Sequence, residues 1–99
     1  MIRIVKMTFR AEHCDDFLAH FDTIKEKICS MPGCESLRLH RDLENPCVFF
    51  TYSSWQANEN LQQYRQSELF RSTWSTVKAW FDDRAQAWSV DTNFDSQCK

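Results

Sequence analysis

Two stripes of large apolar side chains with helical spacing constrain the fold of this 99-residue chain more than any other feature. Within each stripe the apolar residues recur at intervals of four, three and four, which places them on one face of an amphipathic helix. The stripes consist of Phe17, Phe21, Ile24 and Ile28, and of Phe70, Trp74, Val77 and Phe81. This spacing predicts a first helix from about Glu12 to Ser30 and a last helix that ends near Asp82.

Four other segments have the composition or the alternation of β-strands. They cover residues 2–9, 34–41, 47–53 and 87–92. Met31-Pro32-Gly33 ends the first helix, because the residue before a proline avoids helical geometry and glycine accepts a left-handed turn. The loop of residues 42–46 joins the second and third strands as a hairpin.

Serine residues indicate where the helices after this hairpin begin. We expect Ser53 and Ser54 to cap a short helix that runs through Leu61, with Gln56 in the capping-box position. Ser67, followed by Glu68, can then restart or kink this helix, and the longer helix runs on to about Asp82.

The predicted order of strand, helix, strand, strand, helix and strand is typical of the ferredoxin-like βαββαβ fold. We therefore expect an α+β fold, in which an antiparallel four-stranded sheet carries its helices on one face. A chain of this length allows one domain with a modest core. Residues 1–92 are predicted to form that domain, and residues 93–99 a polar C-terminal tail.

The opposite face of the predicted sheet indicates a partner chain. Apolar residues lie on both faces of the first strand, where Val5 and Met7 alternate with Ile2 and Ile4. An apolar sheet face must be covered to be stable in water. The simplest cover is the same face of a second copy related by a two-fold axis, so we expect a homodimer.

Composition argues against several classes of partner. The net charge is −2, the pI is about 5.9 and the basic residues are scattered, so we expect no nucleic acid. No apolar run is long enough to span a bilayer, and Arg3 and Lys6 interrupt the N-terminal segment as a signal-peptide core. We therefore expect no membrane association and a cytoplasmic location. A single glycine also rules out the usual nucleotide-binding glycine loops.

The five cysteines form an odd set without any C-x-x-C spacing. In a chain that lacks an export signal, this pattern predicts reduced thiols. Cys14, Cys29 and Cys47 fall within apolar patterns, where a free cysteine behaves as a small hydrophobic residue. Cys34 and Cys98 are expected to be the most exposed. The spacing favours no metal site.

Seven aromatic rings are concentrated between Pro46 and Trp74. They belong to Phe49, Phe50, Tyr52, Trp55, Tyr64, Phe70 and Trp74. The polar groups among them are hydroxyls, amides and a few charges, without a nucleophile or a set of metal ligands. The stretch therefore predicts an aromatic-lined pocket for a small hydrophobic or aromatic molecule.

Over about residues 2–91 the chain resembles the antibiotic biosynthesis monooxygenase family. The resemblance is carried by NPCVFFTYSSWQANENLQQYRQSELF, in which Trp55, Leu61, Ser67 and Phe70 match, and by the turn Pro32-Gly33-Cys34. It implies a dimeric α+β barrel. The family includes cofactor-independent quinol and polyketide oxygenases as well as heme-degrading enzymes.

This chain departs from the family pattern at the positions that often carry acids and bases. Many members have a glutamate at the position of Ser53, and histidines at the positions of Tyr64 and Leu69. The heme-ligating histidine of the heme-degrading members aligns with Trp74, and an indole does not ligate iron. These departures argue against heme degradation of that type.

An oxygenase without a cofactor needs an electron-rich substrate, a dry pocket and a group that removes a proton. His40, because histidine is a common general base, and Tyr64, at an aligned functional position, are the candidate catalytic residues. The alternatives are a solvated His40 and ordinary helix packing of Tyr64. Arg38 or Arg65 could hold a phenolate, although Arg65 could instead pair with Glu68. The candidate substrate-binding residues are Phe50, Tyr52, Trp55, Phe70, Trp74 and Arg38.

The resemblance and the aromatic stretch together favour a cofactor-independent monooxygenase that acts on a small aromatic or quinol-like substrate, without metal, flavin or heme. The alternative is a non-enzymatic dimer of the same fold that binds or senses a small molecule, which the altered residues Ser53, Tyr64 and Leu69 favour. A third hypothesis is heme binding through another residue, such as His40.

Overall fold

Four strands form one antiparallel sheet in the computed structural model, which describes residues 1–98. The elements are β1 (Ile2–Thr8), a short 3-10 helix (Ala11–His13), α1 (Cys14–Cys29), β2 (Cys34–Arg41), β3 (Val48–Trp55), α2 (Asn58–Arg65), α3 (Glu68–Lys78) and β4 (Gln86–Val90). The strand order across the sheet is β2-β3-β1-β4, and every neighbouring pair is antiparallel. This arrangement confirms the predicted ferredoxin-like α+β fold.

The sheet has an inner face, which packs against the helices, and an outer face. Met7 of β1 and Phe49 of β3 are paired across the sheet and buried with Phe17 of α1. Because side chains alternate along a strand, the residues on either side of these point to the outer face. The inner face therefore carries the odd-numbered residues of β1 and β3.

The buried residues form two clusters, one near each end of α1. The first contains Met7, Phe9, Cys14, Phe17, Phe49 and Val77, and the second contains Ile24, Ile28, Trp55, Leu61 and Tyr64. The predicted stripe of α1 supplies both, because Phe17 lies in the first cluster, Ile24 and Ile28 in the second, and half-buried Phe21 packs against the first. One helix thus connects two separate parts of the core.

The turn after α1 forms as predicted, and Gly33 has a backbone angle φ of 83°. This left-handed conformation suits glycine because it has no Cβ. A Cβ at this position would also overlap the side chain of Asn60 at the start of α2. The Gly33 carbonyl accepts a hydrogen bond of 2.8 Å from the backbone N–H of Gln56, which ties the turn to the end of β3.

The predicted cap of α2 is wrong, whereas a new helix does begin after Ser67, as one of the two predicted possibilities has it. Strand β3 continues to Trp55, so Ser53 and Ser54 lie within it, and Ala57 precedes α2 without a side-chain cap. The register with β1 extends the strand past the serines, because Ser53 and Ser54 pair with Arg3 and Ile2. At α3, by contrast, the Ser67 hydroxyl accepts the backbone N–H of Phe70.

Helix α3 ends at Lys78, earlier than its apolar stripe predicts. Phe81 leaves the helix to form a β-bridge with Phe9, and the Asp82 N–H donates a hydrogen bond of 2.8 Å to the Thr8 carbonyl. The Phe81 ring still packs against the first cluster. Burial of the ring therefore does not require the helix to continue.

The prediction that every cysteine is reduced is wrong for two of them, because Cys14 and Cys47 form a disulfide. Their Cα atoms lie 5.4 Å apart, a usual separation for a disulfide. The fold brings the start of α1 next to the start of β3, although 33 positions separate the two residues in sequence. Among the other cysteines, Cys29 is exposed rather than within an apolar pattern, and Cys34 is half-buried.

The outer face of the sheet carries no helix and exposes apolar side chains. Trp88 and Val90 of the edge strand β4 are 44% and 43% exposed. Trp88 is followed across the sheet by Ile4, then Tyr52, then Arg38. This is the face on which the sequence places a second copy of the chain.

Within residues 1–98 no helix is both long enough and apolar enough to cross a membrane. The predicted tail of residues 93–99 forms neither helix nor strand over residues 93–98, and Lys99 lies outside the described residues.

Candidate functional site

A cavity of about 290 Å³ lies between the inner face of the sheet and the helices. It separates the two core clusters, since Met7, Phe17 and Val77 line it from the first and Ile24 and Tyr64 from the second. A space of this size at the centre of a small domain suits one compact ligand. The cavity is the candidate functional site.

A continuous row of aromatic rings forms one wall of the cavity. Trp55 and Tyr64 are stacked with centroids 5.3 Å apart, and Tyr64 meets Phe70 edge to face at 5.3 Å. Phe70 is in turn stacked on Trp74 at 5.8 Å with nearly parallel rings. These rings offer a flat apolar surface on which another aromatic ring can stack.

The wall is anchored in the sheet by a buried hydrogen bond. The Trp55 indole N–H donates to the hydroxyl oxygen of Ser53 at 2.9 Å, and the Ser53 hydroxyl donates in turn to the Arg3 carbonyl at 3.4 Å. Trp55 is 1% exposed and Ser53 is 7% exposed. Ser53, where relatives often carry a glutamate, therefore orients the indole and has no acidic proton to exchange.

Tyr64 presents a neutral hydroxyl at the cavity. Burial, and next the neighbouring Cys34 thiol, raise the pKa of Tyr64 to about 12. A phenol with this pKa stays protonated at neutral pH, so it can donate a hydrogen bond to a ligand but cannot act as a base.

Two arginines, Arg3 of β1 and Arg65 at the end of α2, are the charged residues of the lining. Arg65 is exposed and Arg3 is half-buried, so the positive charge lies at the open side of the cavity. Arg3 Nη1 donates to the Ser89 hydroxyl at 3.0 Å, and Arg65 Nη1 contacts Gln62 Oε1 at 3.4 Å. Both partners are neutral, and Arg65 does not form the predicted pair with Glu68.

The lining includes one unsatisfied hydroxyl and lacks the usual proton acceptors. Thr73 Oγ1 of α3 is buried and has no hydrogen-bond partner among the described residues. In the part of the lining that the structure describes there is no histidine, cysteine, aspartate or glutamate. The site can therefore bind and orient a molecule through hydroxyls and guanidinium groups, and none of its side chains is a base at neutral pH.

The structure divides the residues predicted for the site between the two faces of the sheet. Trp55, Tyr64, Phe70 and Trp74 line the cavity together. The other four, Arg38, His40, Phe50 and Tyr52, lie on the outer face. There the rings of His40 and Tyr52 meet edge to face at 6.4 Å. The roles assigned to all eight residues stay predictions, but one site cannot be built from both faces of a single protomer's sheet.

Three polar residues of the cavity, Arg3, Thr51 and Thr73, were missed by the sequence reasoning. Arg3 shares its face of β1 with Val5 and Met7, so the two-residue period of the strand was a signal that could have identified it. Thr73 precedes Trp74 in α3, and nothing in the sequence distinguishes its hydroxyl from those of its exposed neighbours.

The lining does not suit a heme. Iron in heme-binding proteins is held by a side chain such as histidine, cysteine, methionine or tyrosine. Trp74 lines the cavity but an indole does not ligate iron, and His40 is exposed on the outer face. Tyr64 is the only phenol of the described lining, and its high pKa disfavours the phenolate that would ligate iron. Met7, the methionine of the described lining, is 4% exposed and packed in the first core cluster, and no histidine of that lining accompanies it as a second ligand.

Solved structures with the same fold include several described as monooxygenases. A crystal structure of an antibiotic biosynthesis monooxygenase is 19% identical and superposes with a TM-score of 0.85, over 93% of this chain and 98% of that one. A conserved protein from Methanosarcina mazei Go1 is 22% identical, with a TM-score of 0.81 over 87% and 86%. Rv0793 from Mycobacterium tuberculosis is 12% identical, with a TM-score of 0.87 over 97% of both chains. At these identities the likeness concerns the fold.

The family model for antibiotic biosynthesis monooxygenase matches residues 1–76, which is most of the chain. No curated protein is similar enough to count as a relative. The matched region contains both arginines of the cavity and its entire aromatic wall. The chain therefore belongs to the antibiotic biosynthesis monooxygenase family.

Proposed function

We propose that this protein is a cofactor-independent monooxygenase that oxidises a small aromatic or quinol-like substrate in the cavity between helices and sheet. The observation that carries the proposal is the cavity itself, whose aromatic wall includes the neutral hydroxyl of Tyr64. Family membership supports oxygenation as the reaction class. The wall and the hydroxyl support an aromatic substrate that bears an oxygen.

The reaction needs no external reductant if the substrate is a phenol with a free para position. Dioxygen takes all four electrons from the substrate, one oxygen atom enters the ring and the other leaves as water. Overall, the phenol gives up its hydroxyl hydrogen and its para hydrogen, two protons reach that water by way of solvent, and the ring becomes a quinone. The residues of the cavity would hold the ring, exclude water and stabilise charge on the phenol oxygen.

Each part of the lining has a role in this proposal. Trp55, Phe70 and Trp74 stack against the substrate ring and keep water from it. Tyr64 donates a hydrogen bond to the substrate oxygen, since its pKa keeps the hydroxyl protonated. No side chain of the described lining accepts the substrate proton, so the substrate must lose it before or during entry.

The proposal includes a homodimer that packs through the outer face of the sheet. Trp88 and Val90 are exposed there beside Ile4 and Tyr52, which gives the second copy an apolar surface to cover. In this arrangement Arg38 and His40 lie at or near the dimer interface and outside the cavity. A two-fold axis matches each patch with the same patch of the partner.

Oxygen uptake tests the proposal. Naphthols and benzenediols are mixed anaerobically with the protein, oxygen is added, and the rate is compared with the uncatalysed rate. Tyr64→Phe is expected to lower the catalysed rate about 10- to 100-fold, the effect of losing one hydrogen bond to a charged oxygen. A larger loss with His40→Ala than with Tyr64→Phe would move the reaction to the outer face and contradict the proposal.

A second candidate function is a dimer that binds or senses a small molecule without turnover. The observation that favours it is the absence of a histidine, cysteine or carboxylate from the described lining. Under this alternative, aromatic ligands raise the melting temperature and no product forms. Thermal stabilisation combined with unaccelerated oxygen uptake over the whole panel would select this function over oxygenation.

A further inference from the structure

The positive charge at the cavity has no ion-pair partner among the described residues 1–98. Among residues 1–98 the ion pairs are Arg10–Glu12, His13–Asp16 and Lys25–Asp22, and all three lie away from the cavity. Arg3 and Arg65 thus contribute two guanidinium groups to one opening with only neutral hydrogen-bond partners. Each guanidinium carries five N–H donors, so most of these donors remain available.

The two guanidinium groups are close enough to repel each other. Burial, and next the charge of Arg65, lower the pKa of Arg3 from its ordinary value. An arginine nevertheless stays charged at any physiological pH. An anion at the opening would relieve both the desolvation of Arg3 and its repulsion by Arg65.

The rest of the described lining carries no ionic charge and is mostly apolar. Tyr64 is its titratable group and is neutral, and Ser53, Thr51 and Thr73 provide hydroxyls. A molecule that fills this space therefore has an apolar aromatic body and a negative charge at one end. The stacked rings match the body, and the arginines match the charge.

We infer that the ligand of this cavity is an aromatic anion, with its ring against Trp55, Tyr64 and Phe70 and its charged oxygen between Arg3 and Arg65. As an identification of the substrate class, the inference rests on the proposed function. It also accounts for the missing proton acceptor, because a phenol or enol that is already ionised needs no base in the cavity. A phenolate and an aromatic carboxylate share this chemistry.

Matched pairs of probes test the inference without any turnover. The first pair is 2-hydroxy-1,4-naphthoquinone, an enolate at neutral pH, and its neutral 2-methoxy analogue. The second is 1-naphthoate and the neutral 1-naphthamide. Anaerobic titration calorimetry at low and high salt gives each dissociation constant. We expect the anion of at least one pair to bind about tenfold or more tightly than its neutral partner, and the preference to fall with salt.

Substitutions of Arg3 and Arg65 test which residue causes the preference for the anionic probe. Arg65→Met lies on an exposed helix end and is expected to reduce the preference at least threefold, whereas Arg65→Lys retains most of it. Arg3→Met tests whether the second positive charge contributes to the anion preference. Arg3→Lys keeps that charge, so it shows whether a lost preference comes from the charge or from misfolding of β1. The matched control is Arg84→Gln, since Arg84 is exposed and outside the lining. We expect this control to bind as the unmodified protein does.

The outcomes separate this inference from the proposed function. Anion preference that depends on Arg3 or Arg65, without oxygen uptake, supports the inference and rejects oxygenation. Oxygen uptake on neutral substrates with no anion preference rejects the inference and leaves oxygenation in place. Equal or tighter binding of both neutral probes, or a preference that Arg84→Gln reduces as much as Arg65→Met, overturns the inference. A larger preference within one pair identifies enolate or carboxylate as the preferred anion.

Discussion

Ser53 and Trp55 are joined by a 2.9 Å hydrogen bond between the serine hydroxyl and the indole N–H, in the part of the core that borders the cavity. Both residues lie on the inner face of β3, two positions apart, so the strand itself sets their spacing. The bond fixes the first ring of the aromatic wall. At this position the family's frequent glutamate is replaced by a residue that positions the wall.

Ser53→Ala tests this bond as a source of stability. The change leaves the buried indole N–H without an acceptor, so we expect the free energy of unfolding to fall by about 1 to 3 kcal/mol. Urea denaturation measures it. A Trp55→Phe background has no indole N–H at this position. In that background Ser53→Ala should lower the free energy of unfolding by clearly less. An equal cost in both backgrounds would show that the hydrogen bond is not the cause.

The raised pKa of Tyr64 predicts a loss of stability at high pH. The pKa of an unfolded tyrosine is near its ordinary value of 10.0, whereas burial raises the pKa of the folded residue to about 12. The stabilisation is therefore fully present below pH 10 and is lost as pH rises from about 10 to 12, by about 2 to 3 kcal/mol. Urea denaturation of the unmodified protein and of Tyr64→Phe across this range measures the difference. If both lose stability equally, the shift does not belong to Tyr64.

The disulfide predicts a definite thiol count. Under denaturing, non-reducing conditions we expect the three free cysteines, Cys29, Cys34 and Cys98, to react with a thiol reagent, and all five to react after reduction. A bond that closes a loop of 33 positions is expected to stabilise the fold by about 3 to 4 kcal/mol. Cys14→Ser combined with Cys47→Ser measures that contribution. Five reactive thiols before reduction would contradict the bond.

A charge on the outer face of the sheet should disrupt the proposed dimer. Trp88→Lys places a charge on the outer face, on the side of the sheet opposite to the cavity, so we expect light scattering to show a shift from twice the chain mass of 11.8 kDa to the single mass. Leu43→Lys is the matched control, because Leu43 is fully exposed in the hairpin loop. A monomer for the unmodified protein at micromolar concentration would contradict the dimer.

Local patterns predicted the elements of this fold well, because their signals lie within a few residues. Three local features occur where the sequence predicts them. They are the strand Cys34–Arg41, the left-handed turn at Gly33 and the start of a new helix after Ser67. The end of α3 was misplaced because a long-range bridge between Phe9 and Phe81 competes with the helix. Similarly, the Cys14–Cys47 bond depends on tertiary proximity that spacing does not encode.

The site was only half predictable, because aromatic content does not reveal which face of a sheet a ring occupies. Trp55 and Tyr52 stand three positions apart in β3, and the strand period directs them to opposite faces. Which face forms the cavity depends on how the helices pack. Once the inner face of the sheet is known to form the cavity, the two-residue period of β1 is enough to place Arg3 on it beside Val5.

Nuclear Overhauser contacts between bound 2-hydroxy-1,4-naphthoquinone and the protein test the central claim most directly, because they report which side of the sheet holds the ligand. If the ligand binds in the cavity between helices and sheet, we expect contacts from its protons to Phe70 and Trp74, and none to Phe50 or Trp88. Contacts to Phe50 and Trp88 without contacts to Phe70 and Trp74 would place the site on the outer face and contradict the account.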